Sequence, residues 1–439
     1  MDLRQQRIFD EVKERSYTMT TAITSAGELA AYIRQTVQEA PITDMHTHLY
    51  APEFGNHLLW GIDELLTYHY LVAEAFRWTD TDEPYEQFWT LSKSEQADFI
   101  WKKLFLAHTP LSEAASGVLQ VLHTMGLDVG SRDLNAYRRQ WADRSPQQQI
   151  DAVFRLAGVQ EVVMTNDPFD PAERALWLNG HGKEDTRFHA ALRVDPLLNN
   201  WEEAVLALLQ MGYQVETAWT EQTIKETQRF LREWVLRMDA LYLAVSMPGD
   251  FRYPAADHRT RMIDDVMIPI CQELDIPFAL MIGVRRQVNP ELKLAGDMSM
   301  LSDVSSVESL CRKYPQQKFL VTMLARENQH ELAVLARKFR NLMVFGCWWF
   351  LNIASIIEEM TALRIELLGT SVIPQHSDAR ILEQLIYKWG HSREIIAEIL
   401  IEKYSKLQRV GWTATREEIK RDVDDLFSRN FWRFLGKSR

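Results

Sequence analysis

Two histidines, His46 and His48, are separated by one residue in the segment 42-ITDMHTHL. On a strand, residues i and i+2 project from the same face, with their Cα atoms roughly 7 Å apart. Both imidazoles could then reach one metal ion at about 2.0–2.1 Å, and neutral imidazole suits Zn, Fe or Mn. The chain has twelve histidines, and two ligands do not make a site, so a chance pair is the alternative.

A third ligand is expected from 374-PQHSDAR, which follows the last of eight predicted strands. In a closed barrel the eighth strand lies beside the first, so Asp378 would meet His46 and His48. The result would be a site of two histidines and one carboxylate that is open to substrate. The alternative makes Ser377 and Asp378 the N-cap of a helix at 379-ARILEQLIYKW, since both residue types cap helices readily.

Four arginines follow the ends of predicted strands: Arg193, Arg285, Arg286 and Arg380. An arginine can clamp a carboxylate through two hydrogen bonds, which a lysine cannot do. The net charge of −12 works against an anionic substrate, so local arginines would have to hold it. For any one of them, a surface salt bridge is the alternative.

Aromatic residues in two further segments could line a substrate pocket. Tyr70 could transfer a proton or stabilise an oxyanion, and His69 could contact a carboxylate. Their alternative role is core packing on an amphipathic helix. Trp348 and Trp349 end the seventh predicted strand, where consecutive residues face opposite ways, so we expect one to enter the barrel mouth and the other to pack outward. No GxSxG elbow occurs, which disfavours nucleophilic acyl transfer.

The framework that positions these residues is an alternation of short apolar segments and helical patterns. The eight apolar segments are 42-ITDMHTHL, 161-EVVMTND, 189-HAALRVDP, 241-LYLAVSMP, 277-PFALMIGV, 318-KFLVTML, 342-LMVFGCWW and 367-LLGTSVIP. The alternation predicts an α/β fold, and the count of eight predicts a (β/α)8 TIM barrel. An open doubly wound sheet would usually bring a glycine-rich phosphate loop, and neither GxGxxG nor GxxxxGK[ST] occurs.

More than a hundred residues separate the first apolar segment from the second, and they are rich in helix formers and aromatics. This stretch predicts a helical insertion at about 55–150, which would emerge at the active-site face of the barrel. We expect an N-terminal helical segment at 1–40, the barrel at 41–420, and a C-terminal helix packing on the barrel at 421–439.

The composition, 46% apolar and 25% charged, is typical of a soluble globular protein. Its acidic balance disfavours nucleic-acid binding. The cysteines Cys271, Cys311 and Cys347 fit neither a disulfide framework nor a zinc ribbon, and no signal-peptide run or membrane-length apolar stretch is found. We therefore expect a cytoplasmic protein without a membrane partner. A homo-oligomer stays open, because the insertion and the terminal helices could build an interface.

Taken in order, the motifs resemble the uronate isomerase (glucuronate isomerase) family of the amidohydrolase superfamily. The matching segments are 43-TDMHTHL, 68-YHYLVAEAFRW, 165-TNDPFD, 192-LRVDP, 346-GCWWF and 377-SDAR. The resemblance implies a small hexuronate as substrate. D-glucuronate would be interconverted with D-fructuronate, and D-galacturonate with D-tagaturonate, through an enediolate. It also implies a divalent metal ion, most commonly Zn.

The resemblance assigns roles to individual residues. The metal ligands would be His46, His48 and Asp378. For catalysis our own hypothesis is that Arg380 stabilises oxyanion charge and that Asp378 and Tyr70 are the base and acid, with the residue that takes the C2 proton left open. The substrate would be bound by His69, Arg193 and Trp349, to which we add Arg286 from its position after the fifth predicted strand.

One departure from the family concerns Met281. Many members have a histidine on the strand that corresponds to 279-ALMIGVRR, so a fourth protein ligand is not expected here. The fourth segment also lacks the lysine with which many superfamily hydrolases hold two metal ions. A binuclear hydrolytic centre is therefore not expected.

Two other functions would use the same residues. A mononuclear metal-dependent hydrolase or decarboxylase would share His46, His48 and Asp378 but release different products. A binding protein that has lost catalysis would bind a ligand without turnover, although the retention of Arg380 beside these residues counts against it. Kinship of fold alone does not fix the reaction.

Overall fold

Seven parallel strands frame the structure, a computed structural model that describes residues 22–80 and 84–437. The strands are β1 (Ile42–Thr47), β2 (Val159–Asn166), β3 (Phe188–Arg193), β4 (Leu243–Pro248), β5 (Phe278–Arg285), β7 (Phe319–Met323) and β8 (Leu342–Val344). Each pairs with the next in this order, and the two-residue strand β6 (Met298–Ser299) is added antiparallel to β5. Nearly all their residues are buried, as expected for parallel strands covered by helices.

The eighth predicted segment completes the ring without forming a regular strand. A helix continues to Leu368, and only Ile373 forms a bridge, parallel to Phe345. Pro374 follows directly and has no N–H to donate to a ladder, which limits the pairing on this side. The expectation of a strand at 367-LLGTSVIP is therefore wrong in its conformation, although the segment occupies the predicted place.

The same segment then closes the barrel against β1. The backbone N–H of Asp378 donates to the carbonyl of His46 at 3.3 Å, and that of His48 donates to the carbonyl of Ala379 at 2.8 Å. These bonds join the last segment to the first strand, as a closed ring requires. The (β/α)8 barrel predicted from the sequence is confirmed.

Helices surround the barrel between successive strands. The α-helices are Pro171–Leu178, Asp195–Asn199, Trp201–Gln210, Glu221–Met238, His258–Met262, Ile268–Glu273, Ser305–Lys313, Gln329–Ala336, Ala354–Leu368 and Gln384–Arg409. Short 3₁₀ or π turns occur at Ile263–Met267, Pro290–Gly296, Arg326–Asn328 and Trp349–Leu351. The α-helices lie around the outside of the barrel. Barrel enzymes place their active sites at the carboxyl ends of the strands.

The described residues between β1 and β2 form a series of helices and short helical turns, in the region where the sequence predicts an insertion. Its elements are Pro52–His57, Ile62–Leu66, His69–Phe76, Tyr85–Thr90, Lys93–Trp101, Lys102–Leu106, Glu113–Thr124, Val129–Ser131, Leu134–Ala142 and Pro146–Ala157. Several begin at a side chain that accepts a backbone N–H of the first turn, among them Ser92, Ser112, Asp133 and Ser145. Such caps satisfy donors that a helix leaves free, so the local sequence sets where these helices begin.

A buried carboxylate, Glu383, ties the insertion to the loop after the closing segment. Its Oε1 accepts from the backbone N–H of Gly61 at 3.0 Å, from Trp141 Nε1 at 2.9 Å and from Gln149 Nε2 at 2.7 Å. Glu383 itself is fully buried and directly precedes the helix Gln384–Arg409. Three donors on one buried oxygen make this a strong attachment between distant parts of the chain.

The segments at the two ends of the described chain pack against the barrel. The helix Ala26–Glu39 lies within the predicted N-terminal segment, whose residues 1–21 are outside the described part of the chain. At the other end are Arg416–Asp424, Asp425–Arg429 and Asn430–Leu435. The last of these places Trp432 in the interior of the barrel, where its Nε1 donates to Glu161 at 2.8 Å.

The three cysteines, Cys271, Cys311 and Cys347, are buried and unpaired. None of the helices in the described parts of the chain combines the length and the apolar character needed to cross a bilayer.

The carboxyl of Glu173 lies buried behind the ends of β1 and β2. It accepts hydrogen bonds from Asn166 Nδ2 at 2.8 Å, Trp177 Nε1 at 3.3 Å, Tyr50 OH at 2.9 Å and the backbone N–H of Asp167 at 3.1 Å. Burial nevertheless raises the pKa of Glu173 to about 7, because the loss of hydration outweighs these bonds.

The raised pKa of Glu173 predicts a loss of stability above pH 5. The folded state holds this proton more tightly than the unfolded state, so its contribution is complete below about pH 4.5 and is lost as pH rises through about 7. We expect the free energy of unfolding to fall by up to about 3 kcal/mol more in the wild type than in Glu173→Gln between pH 5 and 8. Urea unfolding at both pH values measures this, and parallel profiles for the two proteins would contradict it.

Candidate active site

Three residues predicted as metal ligands meet at the open face of the barrel. Suitable donor atoms of His46, His48 and Asp378 all lie within 4.8 Å of one another. Asp378 Oδ1 is 3.8 Å from His46 Nε2 and 3.4 Å from His48 Nε2. Two donors that each lie about 2.1 Å from a tetrahedral ion are about 3.4 Å apart. Separations close to this value make the three groups a candidate ligand set for one divalent metal ion.

Two hydroxyl groups fix the orientation of the histidines. Thr165 Oγ1 donates to the carbonyl of Thr47 at 3.0 Å and lies 2.9 Å from His48 Nδ1. Its single proton is thus used, so it accepts the Nδ1–H of His48 and leaves Nε2 free as a ligand. The hydroxyl of Tyr242 is placed in the same way relative to His46. Its hydroxyl donates to the carbonyl of Met45 at 2.6 Å and lies 3.4 Å from His46 Nδ1.

Both histidines are neutral at physiological pH. Burial lowers the pKa of His46 to about 3, even though the carboxylate of Asp378 acts in the opposite direction. Burial also lowers the pKa of His48 well below its usual range, and the positive charges of Arg380 and Arg193 add to the effect. A neutral imidazole offers the lone pair that a metal ion needs.

The backbone of Asp378 has a left-handed conformation, with φ of +51°. The alternative role of Asp378 as an N-cap is excluded, because the helix begins at Gln384. Asp378 instead lies in an irregular segment. The backbone N–H and carbonyl of the residue before it, Ser377, make three hydrogen bonds to side chains. The N–H of Ser377 donates to Asp44 Oδ1 at 3.1 Å, and its carbonyl accepts from Lys388 Nζ at 2.9 Å and from Asn352 Nδ2 at 3.1 Å.

The groups that hold this turn are themselves buried. Asp44 and Lys388 expose 0% and 1% of their surface, and Trp389 Nε1 donates to Asp44 Oδ2 at 2.8 Å. Lys388 and Trp389 lie on the helix Gln384–Arg409, whereas Asp44 lies on β1. The sequence analysis did not identify them, because a buried lysine in a helical pattern carries no signal of what its amine contacts.

A pocket of aromatic residues lies beside the three candidate metal ligands. His69 and Tyr70 begin a helix of the insertion, and the His69 ring lies 5.9 Å from that of Trp349. His69 Nε2, Tyr70 OH, Trp349 Nε1 and Asp378 Oδ1 are buried and have no hydrogen-bond partner among the described residues. Buried polar atoms are normally satisfied, so four such atoms in one place indicate a ligand site.

The two tryptophans do not alternate as expected. The strand β8 ends at Val344, and Trp349 begins a 3₁₀ turn with φ of +50°. Trp348 and Trp349 are both buried in the apolar cluster of the barrel interior, with ring centres 6.1 Å apart. The prediction that one of them packs outward is wrong, because the alternation of a strand does not apply to a turn.

The predicted arginines divide into three groups. Arg193 is held by Asp195 through Nε at 3.2 Å and Nη2 at 3.1 Å, and Arg286 lies 5.9 Å from the Trp349 ring centre. Both line one cavity at the barrel mouth. Arg380 is close enough to His48 and His69 for its charge to lower their pKa values. Arg285 is exposed and does not line this cavity.

Two further buried residues of the barrel interior bear on the number of candidate metal ligands. Met281, where many family members have a histidine, is 2% exposed in the barrel interior. His376 is fully buried with its ring centre 5.4 Å from that of His46, and its nitrogens have no partner among the described residues. It packs on Gly346, whose φ is +62° and where a Cβ would lie 1.6 Å from His376 Nδ1. Only glycine fits there.

The contacts of Lys388 predict an effect on metal binding. In Lys388→Met the carbonyl of Ser377 loses a buried donor, so the conformation of Asp378 becomes less well fixed. We expect the affinity for Zn²⁺ to fall about 10- to 100-fold. Competition with a chromophoric chelator measures this affinity. Lys406→Met, on the exposed face of the same helix, is the matched control, and equal affinities in the two variants would contradict the role.

Comparisons with known proteins place the chain in a family. No protein-family model and no curated protein sequence matches it. The crystal structure of a uronate isomerase from Bacillus halodurans is 56% identical in sequence, with a TM-score of 0.93 over 95% of this chain and 98% of that chain. That identity extends over almost the whole of both chains.

Two more distant structures support the fold alone. A uronate isomerase from Thermotoga maritima is 16% identical, with a TM-score of 0.76 over 93% of this chain and 97% of that chain. A glucuronate isomerase from Caulobacter crescentus is 14% identical, with a TM-score of 0.65 over 97% and 98%. The extent and level of the identity to the Bacillus halodurans protein decide the assignment: this chain belongs to the uronate isomerase family.

Proposed function

We propose that the protein is an aldose–ketose isomerase that interconverts D-glucuronate with D-fructuronate and D-galacturonate with D-tagaturonate. The observation that carries the proposal is the 56% identity to the Bacillus halodurans uronate isomerase. The pocket supports it further, since such an isomerase needs an acid, a base and groups that stabilise an enediolate.

We propose Zn²⁺ as the ion held by His46, His48 and Asp378. Neutral imidazoles and a carboxylate oxygen are common ligands of this ion. Bound there, the ion would supply Lewis-acid polarisation of a substrate oxygen. Met281 cannot act as a strong ligand, so the chain supplies three ligands in this region.

The substrate carboxylate is assigned to Arg193 and His69. Asp195 fixes the guanidinium of Arg193 through two contacts, so its remaining N–H groups present a defined direction to a carboxylate. His69 is neutral because burial lowers its pKa well below the usual range, and its imidazole can still donate one hydrogen bond. Arg286 and Trp349 add an N–H each at the same rim.

The proton transfer is assigned to Asp378 and Tyr70. Both contacts from Asp378 to the histidines use Oδ1, which leaves Oδ2 to accept the proton from C2. The C–H electrons then form the enediolate double bond while the aldehyde oxygen takes up the charge, which Arg380 stabilises. Burial and the charge of Asp378 raise the pKa of Tyr70 well above 10. Tyr70 therefore keeps its proton and donates to a substrate oxygen.

The three buried, unpaired cysteines fit the reducing cytoplasm as the place of this activity. A small-molecule hexuronate is the partner that the pocket supports.

The first test is an assay of the purified, metal-analysed protein with each hexuronate, with the ketose product followed by a coupled dehydrogenase. We expect turnover of at least one substrate, and its loss in His46→Ala and Asp378→Asn because the three-ligand set is broken. A protein that binds metal but forms no ketose would contradict the proposal and favour the hydrolase or decarboxylase.

The role of Arg193 predicts a specific kinetic change. In Arg193→Met the carboxylate loses a charge-assisted pair of hydrogen bonds, so KM should rise about 10- to 100-fold while kcat changes little. Arg285→Met is the matched control, since Arg285 is exposed and outside the cavity. Steady-state kinetics measure both constants, and an unchanged KM in Arg193→Met would exclude this role.

A further inference from the structure

A cavity of about 640 Å³ lies at the start of β8, at the opposite end of the barrel from the three candidate metal ligands. We call it the basic cavity, since four cations line it: Arg337, Lys338, Arg340 and Arg433. We propose that the basic cavity binds a nucleoside polyphosphate, a ligand that joins phosphate groups to an aromatic base. This inference goes beyond the proposed function and does not depend on it.

The charge of the basic cavity favours an anion. Among the described residues no acidic side chain lines it, although the net charge of the protein is −12. Arg433 is paired with Asp425 at 2.8 Å. Arg337, Lys338 and Arg340 are exposed, and none of them has an ion-pair partner in the part of the chain that the structure describes. An anion that enters the basic cavity would meet a local field opposite to that of the whole protein.

Helix ends account for part of this positive charge but not for all of it. The helices Gln329–Ala336 and Ala354–Leu368 both end beside the basic cavity. The C-terminus of a helix is equivalent to about half a negative charge and attracts cations. Set against the three unpaired cations, the two helix ends still leave roughly two positive charges. A ligand with two or more negative charges would balance them.

The rest of the lining of the basic cavity is largely apolar and includes two aromatic rings, those of Phe339 and Phe434. Both side chains are only half-buried, and neither ring packs on another ring within the described residues. Half-buried rings of this kind can stack on a planar base. Pockets for small molecules combine apolar walls with a few polar groups and measure about 300–1,000 Å³. The size and the mixed lining therefore suit a nucleotide better than an inorganic phosphate.

A neighbouring cavity of about 660 Å³, which also touches the helix Asn430–Leu435, differs from the basic cavity in its charges. Lys420 and Arg429 line it, but both are paired with Asp424, at 2.9 Å and 3.2 Å. The carboxylate of Glu161 lines it as well. Much of its positive charge is therefore compensated within the protein, whereas the basic cavity leaves three cations for a ligand.

The test is calorimetric titration of the full chain with ATP at low ionic strength. The buffer contains EDTA, so that no metal ion bridges the phosphates to the protein. We expect ATP to bind more tightly than pyrophosphate, which lacks the base, and more tightly than adenosine, which lacks the phosphates. Added NaCl should weaken the binding of ATP, because salt screens the attraction between exposed charges.

The variant that tests the location carries Lys338→Gln and Arg340→Gln together. We expect its affinity for ATP to fall about 10- to 30-fold, since two exposed charge contacts are lost. Both residues are exposed, so the fold should be retained, which a melting profile checks. The matched control carries Lys225→Gln and Arg326→Gln, which remove the same charge from exposed positions that are paired with glutamates. Its affinity for ATP should equal that of the wild type.

A third variant, Arg193→Met, separates the basic cavity from the barrel mouth, where arginines could also attract ATP. We expect this variant to bind ATP as tightly as the wild type. A loss of ATP binding in Arg193→Met, with full binding in the Lys338→Gln and Arg340→Gln variant, would overturn the inference.

Two further results would also overturn it. One is a wild type that does not bind ATP even at low ionic strength. The other is pyrophosphate binding as tight as that of ATP, which would show that the base makes no contact and that the ligand is not a nucleotide.

Discussion

The carboxylate of Asp378 faces His46 and His48 only while its backbone keeps a left-handed conformation, which costs a non-glycine residue free energy. The bonds to the preceding peptide from Asp44 and Lys388 offset that cost. One of these groups comes from the first strand and the other from the long helix that follows the turn. The arrangement of the three candidate ligands therefore depends on how the barrel is closed, and not on these residues alone.

The charges at the barrel mouth differ from those of the protein surface. The acidic surface of the protein opposes an anionic ligand, whereas the barrel mouth presents arginines whose orientation is set by single carboxylates, as Asp195 sets that of Arg193. Burial at the same time keeps His46 and His69 neutral. Charged arginines thus lie where an acid would be bound. Neutral imidazoles lie where a lone pair or a single hydrogen bond is needed.

The sequence predicted those parts of the site that depend on a local period. The spacing of His46 and His48 gives one face of a strand, and the position of Asp378 after the eighth segment gives its neighbour in a closed ring. The periodicity could not predict the groups that act across the fold. Tyr242 and Thr165 orient the imidazoles from other strands, and no spacing relates them to the histidines.

The expectation for the eighth segment failed through local chemistry. Its apolar letters resemble those of the other strands, but Pro374 removes a donor, and the residues after it use side chains and β1 as partners. A turn rather than a strand is what allows Asp378 to leave the ladder and enter the site. The deviation from a regular barrel is therefore located where the chemistry is expected.

The placement of Trp432 inside the barrel bears on how the chain is made. Its indole N–H reaches Thr43 and Glu161, which are 389 and 271 residues earlier in the chain. During synthesis the first strands leave the ribosome long before the segment Asn430–Leu435 exists, so the interior of the nascent barrel keeps one end open to water. Contacts of such high sequence separation slow folding and prolong the exposure of apolar surface. The apolar interior of the nascent barrel is therefore exposed for as long as Asn430–Leu435 has not been made.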